Sequence, residues 1–129
     1  MRKLLAISTF VFTVIFSSTS SAEWTQVAEN VNGIYYVDFG RIRKQGDYIK
    51  FWELVDLLGP DKDGDLSYKI YQQGDCKLFR YKYLSSTSFK QPKGGGYGTE
   101  YNQPDEGWRY PSPYSINEIV LKSVCDYVN

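Results

Sequence analysis

Apolar and polar positions alternate with a period of two through most of the chain and change to a helical period only near its end. Over Ser115 to Val128, at about 100° per residue, Ile116, Ile119, Val120, Val124 and Tyr127 fall on one face. Glu118, Lys122 and Asp126 follow at four-residue steps on the opposite, solvated face. Ser115 and Glu118 are spaced as a capping box, and Pro111 and Pro113 favour an extended approach. This is the one strong helix signal after the N-terminal region. Cys125 lies at the margin of its apolar face.

The period-two segments predict strands over Trp24–Ala28, Ile34–Phe39, Tyr48–Leu58, Ser67–Gln73 and Cys76–Phe89. Asn32-Gly33 reads as a hairpin turn, and Gly74-Asp75 as a second short turn. Gly40–Gly46 reads as a turn or a single helical turn. In Tyr48–Leu58, Trp52 and Leu54 share one face, and Ile49, Phe51 and Val55 the other. Apolar residues on both faces predict a central strand, covered on both sides. Gly59–Leu66 is a polar turn. Lys90–Gly107, with Gly94-Gly95-Gly96 and Gly98, reads as a mobile loop pinned at its far end by Trp108 and Tyr110. The expected fold is α+β: a single antiparallel sheet of five or six strands, with one C-terminal helix packed on one face. The helix must cover the sheet, because its apolar stripe needs a partner.

The N-terminus adds a compartment. Arg2 and Lys3 precede an apolar run from Leu4 to Phe16, and Ser20 and Ala22 occupy the small-residue positions of a cleavage site. Residues 1–22 are expected to be a signal peptide, and 23–129 one exported domain. The apolar run is shorter than the ~20 residues that span a bilayer, so no transmembrane segment is expected. No cysteine near the cleavage point offers a lipid attachment site. The exported chain then resides in the periplasm, is secreted, or associates with the cell surface. In that setting the two cysteines, Cys76 and Cys125, are expected to form a disulfide.

Charge and composition narrow the chemistry. The 15 basic and 15 acidic residues balance, and without Arg2 and Lys3 the domain carries a net charge of about −2. This argues against a nucleic-acid partner. There is no histidine, so the commonest general base and metal ligand is missing. With both cysteines oxidised, the usual nucleophile–base pairs are absent too. A pair of carboxylates converging in a cleft is the one hydrolytic arrangement left open. Asp61, Asp63 and Asp65 have the spacing that begins a calcium loop. Glycine falls at Gly64 instead of after the third aspartate, and Gln72 stands where the closing glutamate belongs, so a solvated hairpin loop is the better reading. The glycines at 94–98 lack the Lys-Ser/Thr of a phosphate-binding loop. No cofactor and no metal are expected.

The candidate binding surface is basic and aromatic. Lys77, Arg80 and Lys82 interleave with Phe79, Tyr81 and Tyr83, and Arg41, Arg43 and Lys44 form a second basic group. Such interleaving can bind acidic glycans or single strands, although on a strand the cations and rings point to opposite faces. A pocket between helix and sheet, lined by Trp52, Tyr68 or Tyr81, is the alternative, for a periplasmic small ligand.

Trp24, Asn32-Gly33, Tyr36-Val37-Asp38, Ile42-Arg43-Lys44, Gly46 and Phe51-Trp52-Glu53-Leu54-Val55-Asp56 together resemble the surface-adhesin protein E family of bacterial envelope proteins. Asp75-Cys76-Lys77, Arg80, Leu84, the glycines after Phe89, the Trp108 segment and Val124-Cys125 continue the resemblance. It implies an antiparallel sheet with a terminal helix held by a disulfide. It also implies non-enzymatic binding of host matrix or serum proteins at the cell surface. Proteins or acidic glycans are then the expected partners, and a homo-oligomer stays open.

Overall fold

The structure is a computed structural model that describes residues 22–129; the expected signal peptide lies outside the described residues, apart from Ala22. Seven strands form one antiparallel sheet: β1 Thr25–Glu29, β2 Gly33–Val37, β3 Arg43–Gln45, β4 Tyr48–Leu57, β5 Ser67–Asp75, β6 Arg80–Phe89 and β7 Gly98–Asn102. The order is β1-β2-β4-β5-β6-β7, and β3 pairs with the start of β4. A 3₁₀ turn at Phe39–Arg41 separates β2 from β3, so the two run as a broken strand along one side of β4. The helix, α1, spans Ile116–Val128. Among the described residues no helix is long and apolar enough to cross a membrane.

The α+β class and the position of β4 agree with the sequence, and the strand count rises to seven. The two strands beyond the five expected ranges, β3 and β7, occupy segments expected to be turn or loop. β3 forms because Arg43–Gln45 lies opposite Lys50–Tyr48 in a tight hairpin. β7 forms in the glycine-rich segment because glycine there serves close approach, not mobility. A Cβ on Gly98 would stand 2.3 Å from Thr87 Cγ2 and 2.6 Å from the Phe89 ring.

The two expected turns shift for related reasons. Gly74 and Asp75 continue β5 instead of turning. A Cβ on Gly74 would come 3.0 Å from Leu121 Cδ1 and 3.2 Å from Ile49 Cγ1, so the glycine lets the helix lie close to the sheet. The turn falls at 76–79, where Asp75 Oδ1 accepts from the Lys77 and Leu78 backbone N–H groups at 3.0 and 3.2 Å. Likewise Gly33 begins β2, and the first hairpin turn is organised by Asn30, whose Oδ1 accepts from the N–H groups of Asn32 and Gly33.

The core lies on one face of the sheet, where Val37, Ile49, Phe51 and Tyr81 meet Val120, Leu121, Val124 and Cys125 of α1. Leu121 and Cys125 are thus buried, whereas Ile119 and Tyr127, expected on the apolar face, are 41% and 61% exposed. The buried stripe is rotated toward the cysteine, which bonds to Cys76 with Cα atoms 5.6 Å apart. Ser115 caps the helix by accepting from the Glu118 N–H at 3.2 Å. The Glu118 carboxylate reaches back to the Tyr114 N–H at 2.9 Å, one residue beyond the usual capping-box partner.

Among the described residues no helix lies over the opposite face. One end is covered by a 3₁₀ turn at Pro92–Gly94 that lies over Leu54, and the other by Trp108, which packs on Tyr48. Ser67 ties that turn down: its Oγ accepts from the Gly94 N–H at 2.8 Å and donates to the Gln91 carbonyl at 2.6 Å. Leu54 is fully buried, whereas Trp52 two residues earlier stays half-buried. The expectation that β4 is covered on both faces therefore holds at Leu54 and fails at Trp52.

Candidate functional site

Strand register decides what the uncovered face presents. Directly paired residues share a face of an antiparallel sheet. Trp52 pairs with Tyr71, and Lys50 pairs with Gln73, which pairs with Lys82. The Trp52 and Tyr71 rings lie 4.7 Å apart with planes tilted by 31°. Arg41 reaches over Trp52 from the 3₁₀ turn, with Cζ 5.9 Å from the ring centre. At the far end Trp108 packs 5.1 Å from Tyr48, and its ring carries Arg80 at 4.5 Å and Lys82 at 4.7 Å. Cations held over ring faces are attracted by the ring quadrupole. The Trp108 segment is fixed by its backbone: Arg109 and Tyr81 exchange N–H···O bonds of 2.8 and 2.9 Å.

Two acids of this region are sunk beneath arginines, while Asp56 and, in register with Lys69 through Thr87, the exposed Glu100 share the face. Asp38 and Asp75 are 2% and 3% exposed. Each accepts from an arginine Nε at 2.8 Å, Asp38 from Arg41 and Asp75 from Arg80. Burial alone would raise the Asp75 pKa, but the Arg80 hydrogen bond and the two backbone N–H donors outweigh it and hold it below the usual value. Lys50, Lys69, Lys93 and Arg43 have no carboxylate partner among the described residues. The face therefore carries more cations than acids: Arg41, Arg43 and Lys93 are exposed, and Lys50, Lys69, Arg80 and Lys82 lie partly exposed among its rings.

The sequence candidates divide between the two faces. Arg41, Arg80 and Lys82 stand on the uncovered face, and Arg43, paired with Lys50, borders it. Lys44 pairs with Ile49 and so belongs to the helix side. Lys77 and Phe79 are not on a strand; they lie in the 76–79 turn, where Phe79 adopts φ 54° and packs against the core. Lys44 and Lys77 border a cleft of about 220 Å³ with Ile49, Cys76 and Val128. Tyr81 and Tyr83 face the helix, hydrogen-bonded to Asn117 at 2.9 and 3.3 Å, so neither ring joins an outward platform. What sequence reading missed is Trp52 with Tyr71, Lys50 and Lys69. The alternation along Tyr48–Leu57 placed Trp52 opposite Phe51, but only the helix position reveals which face stays open.

The expected ligand pocket between helix and sheet does not form from Trp52, Tyr68 and Tyr81. Trp52 is on the far face, Tyr68 donates to Asp61, and Tyr81 is packed under α1. Glu53 is the one deeply buried glutamate on the helix side; it accepts from Gln72 Nε2 at 2.5 Å. Burial raises its pKa to about 7, against a lowering by Gln72. Its hydrogen-bond partner is an amide and not a second acid, so it makes no hydrolytic pair. Asp61, Asp63 and Asp65 come together, but Asp61 is occupied by the N–H groups of Asp63 and Asp65 and by Tyr68, and Asp65 by Lys90 at 3.0 Å. This is the polar hairpin loop read from the sequence.

No curated protein matches the sequence. Among solved structures, crystal form II of Haemophilus influenzae protein E is similar at a TM-score of 0.64 and 16% identity, covering 86% of this chain and 92% of that one. Protein E from non-typeable Haemophilus influenzae is similar at a TM-score of 0.60 and 16% identity, covering 85% and 79%. At that identity the likeness shows the fold. The family model for surface-adhesin protein E matches residues 24–126, and the chain belongs to that family.

Proposed function

We propose that this protein is an exported, non-enzymatic binding module of the adhesin type, acting through the sheet face that α1 leaves uncovered. Residues 1–22 are its signal peptide and residues 23–129 the mature domain. Its partners are host extracellular-matrix or serum proteins. Family membership supports the adhesive role. The observation that carries the choice of surface is the Trp52–Tyr71 pair lying half-buried on a face ringed by cations. Partly buried aromatic rings and arginine are typical anchors of recognition surfaces. Solid-phase binding of the exported chain to immobilised matrix and serum proteins tests the reading. Saturable binding at ~1 μM protein is expected. Signal no greater than that of the reduced, denatured chain overturns it.

A further inference from the structure

We propose that the uncovered sheet face, floored by Trp52 and Tyr71 and edged by Arg41, Lys50, Lys69 and Lys82, binds a sulfated polysaccharide. The proposal rests on the adhesive reading and names the chemistry its surface recognises.

Three features favour this ligand class. The floor is formed by strands β4, β5 and β6; β4 and β5 are paired on both sides by strands, and β6 by β5 on one side and by β7 and the Gln103 and Arg109 backbone on the other. An extended peptide would find no free main-chain partners there, as strand addition requires. Recognition must run through side chains, which suits a ligand whose polar groups are sulfates and hydroxyls. The partly exposed rings offer apolar surface against which the C–H side of a pyranose can lie, drawn by the negative ring face. The cations flank those rings in rows. Lys50, Gln73 and Lys82 stand side by side on adjacent strands, so the two lysines are rooted about 10 Å apart across the sheet. Lys69 continues the row of Tyr71 along β5, with Nζ 5.3 Å from the Phe89 ring.

Charge points the same way. Lys50 and Lys69 lack a carboxylate partner among the described residues, the nearby Asp38 and Asp75 are buried under their arginines, and the acids left on the face, Asp56 and Glu100, are outnumbered by its cations. Lys82 has only Asp105, 3.5 Å away and largely exposed, which a sulfate can displace. The mature chain is slightly acidic overall, so this is a local surface and not a general affinity for polyanions.

Calorimetric titration of the exported chain with a heparin-derived hexasaccharide, its desulfated counterpart and single-stranded DNA tests the proposal. Expected are binding of the sulfated sugar that weakens as salt rises, none of the desulfated one, and weaker binding of DNA. The Lys50→Ala/Lys69→Ala pair should lose about tenfold or more in affinity, and Lys44→Ala/Lys77→Ala on the helix side should lose none. Circular dichroism of both pairs should match the parent. No heat with the hexasaccharide, equal loss from both pairs, or tighter DNA binding overturns the proposal. Matrix proteins stripped of their glycans separate the two readings: retained binding to them with no hexasaccharide binding removes the polysaccharide and leaves the adhesive role standing.

Discussion

Glu53 holds Gln72 across two strands through a 2.5 Å hydrogen bond, on the face of the sheet that the helix covers. Glu53 is 2% exposed, and burial lifts its pKa to about 7 from the ordinary 4.5. Between those values the folded protein keeps a proton that the unfolded chain has released. Stability therefore falls as pH rises from about 4.5 to about 7, by ~3 kcal/mol in all. The chain has no histidine to confuse this window. Thermal melts at pH 5 and pH 8 should show the drop. Glu53→Gln should flatten it and melt higher than the parent at pH 8. An unchanged pH slope in that variant would refute the assignment.

Asp75 should behave in the opposite sense. Its depressed pKa means that it stabilises above its ordinary value and loses that contribution as pH falls below it. It also sets the 76–79 turn and anchors Arg80 beside Trp108. Asp75→Ala leaves a partly buried guanidinium and two backbone donors without partners, and should cost about 2–4 kcal/mol. Denaturant unfolding measures this, and tryptophan fluorescence should report a freer Trp108.

Gly98→Ala should loosen the edge of the sheet. The added methyl meets Thr87 and Phe89 well inside contact distance. A cost of about 1–3 kcal/mol is expected, with faster amide exchange confined to β7. Faster exchange throughout, or none, would contradict the packing role given to this glycine.

The Cys76–Cys125 bridge spans 49 residues of sequence. In the chain-entropy account such a closure contributes ~4 kcal/mol. Cys125→Ser should lower the melting temperature in non-reducing buffer while its far-UV spectrum stays that of the parent at low temperature. An unchanged melting temperature would mean that the bridge does not restrain the unfolded chain.

Much of this fold was legible because local rules and tertiary packing agree. Ser115 with Glu118 caps the helix, β4 alternates cleanly, and the two cysteines pair. The disagreements lie at glycines and around Asp75. Gly33, Gly74 and Gly98 read as turn or loop, yet each sits in a strand where a neighbour approaches closely. Such an approach comes from residues distant in sequence, so no local window contains it. At the site, Arg41, Arg80 and Lys82 were legible as cations. Their grouping with Trp52 was not, because it depends on which face α1 occupies. The same placement removed Tyr81 and Tyr83 from the surface by turning them toward Asn117.

Lysine acetylation with and without a saturating matrix protein tests most directly whether the uncovered face is the one that binds. Mass spectrometry would read each lysine separately. Lys50, Lys69 and Lys82 on the uncovered face should be protected in the complex, while Lys44, Lys77 and Lys122 on the helix side react as in the free protein. Protection of Lys44, Lys77 and Lys122 with the uncovered face still reactive would contradict the account.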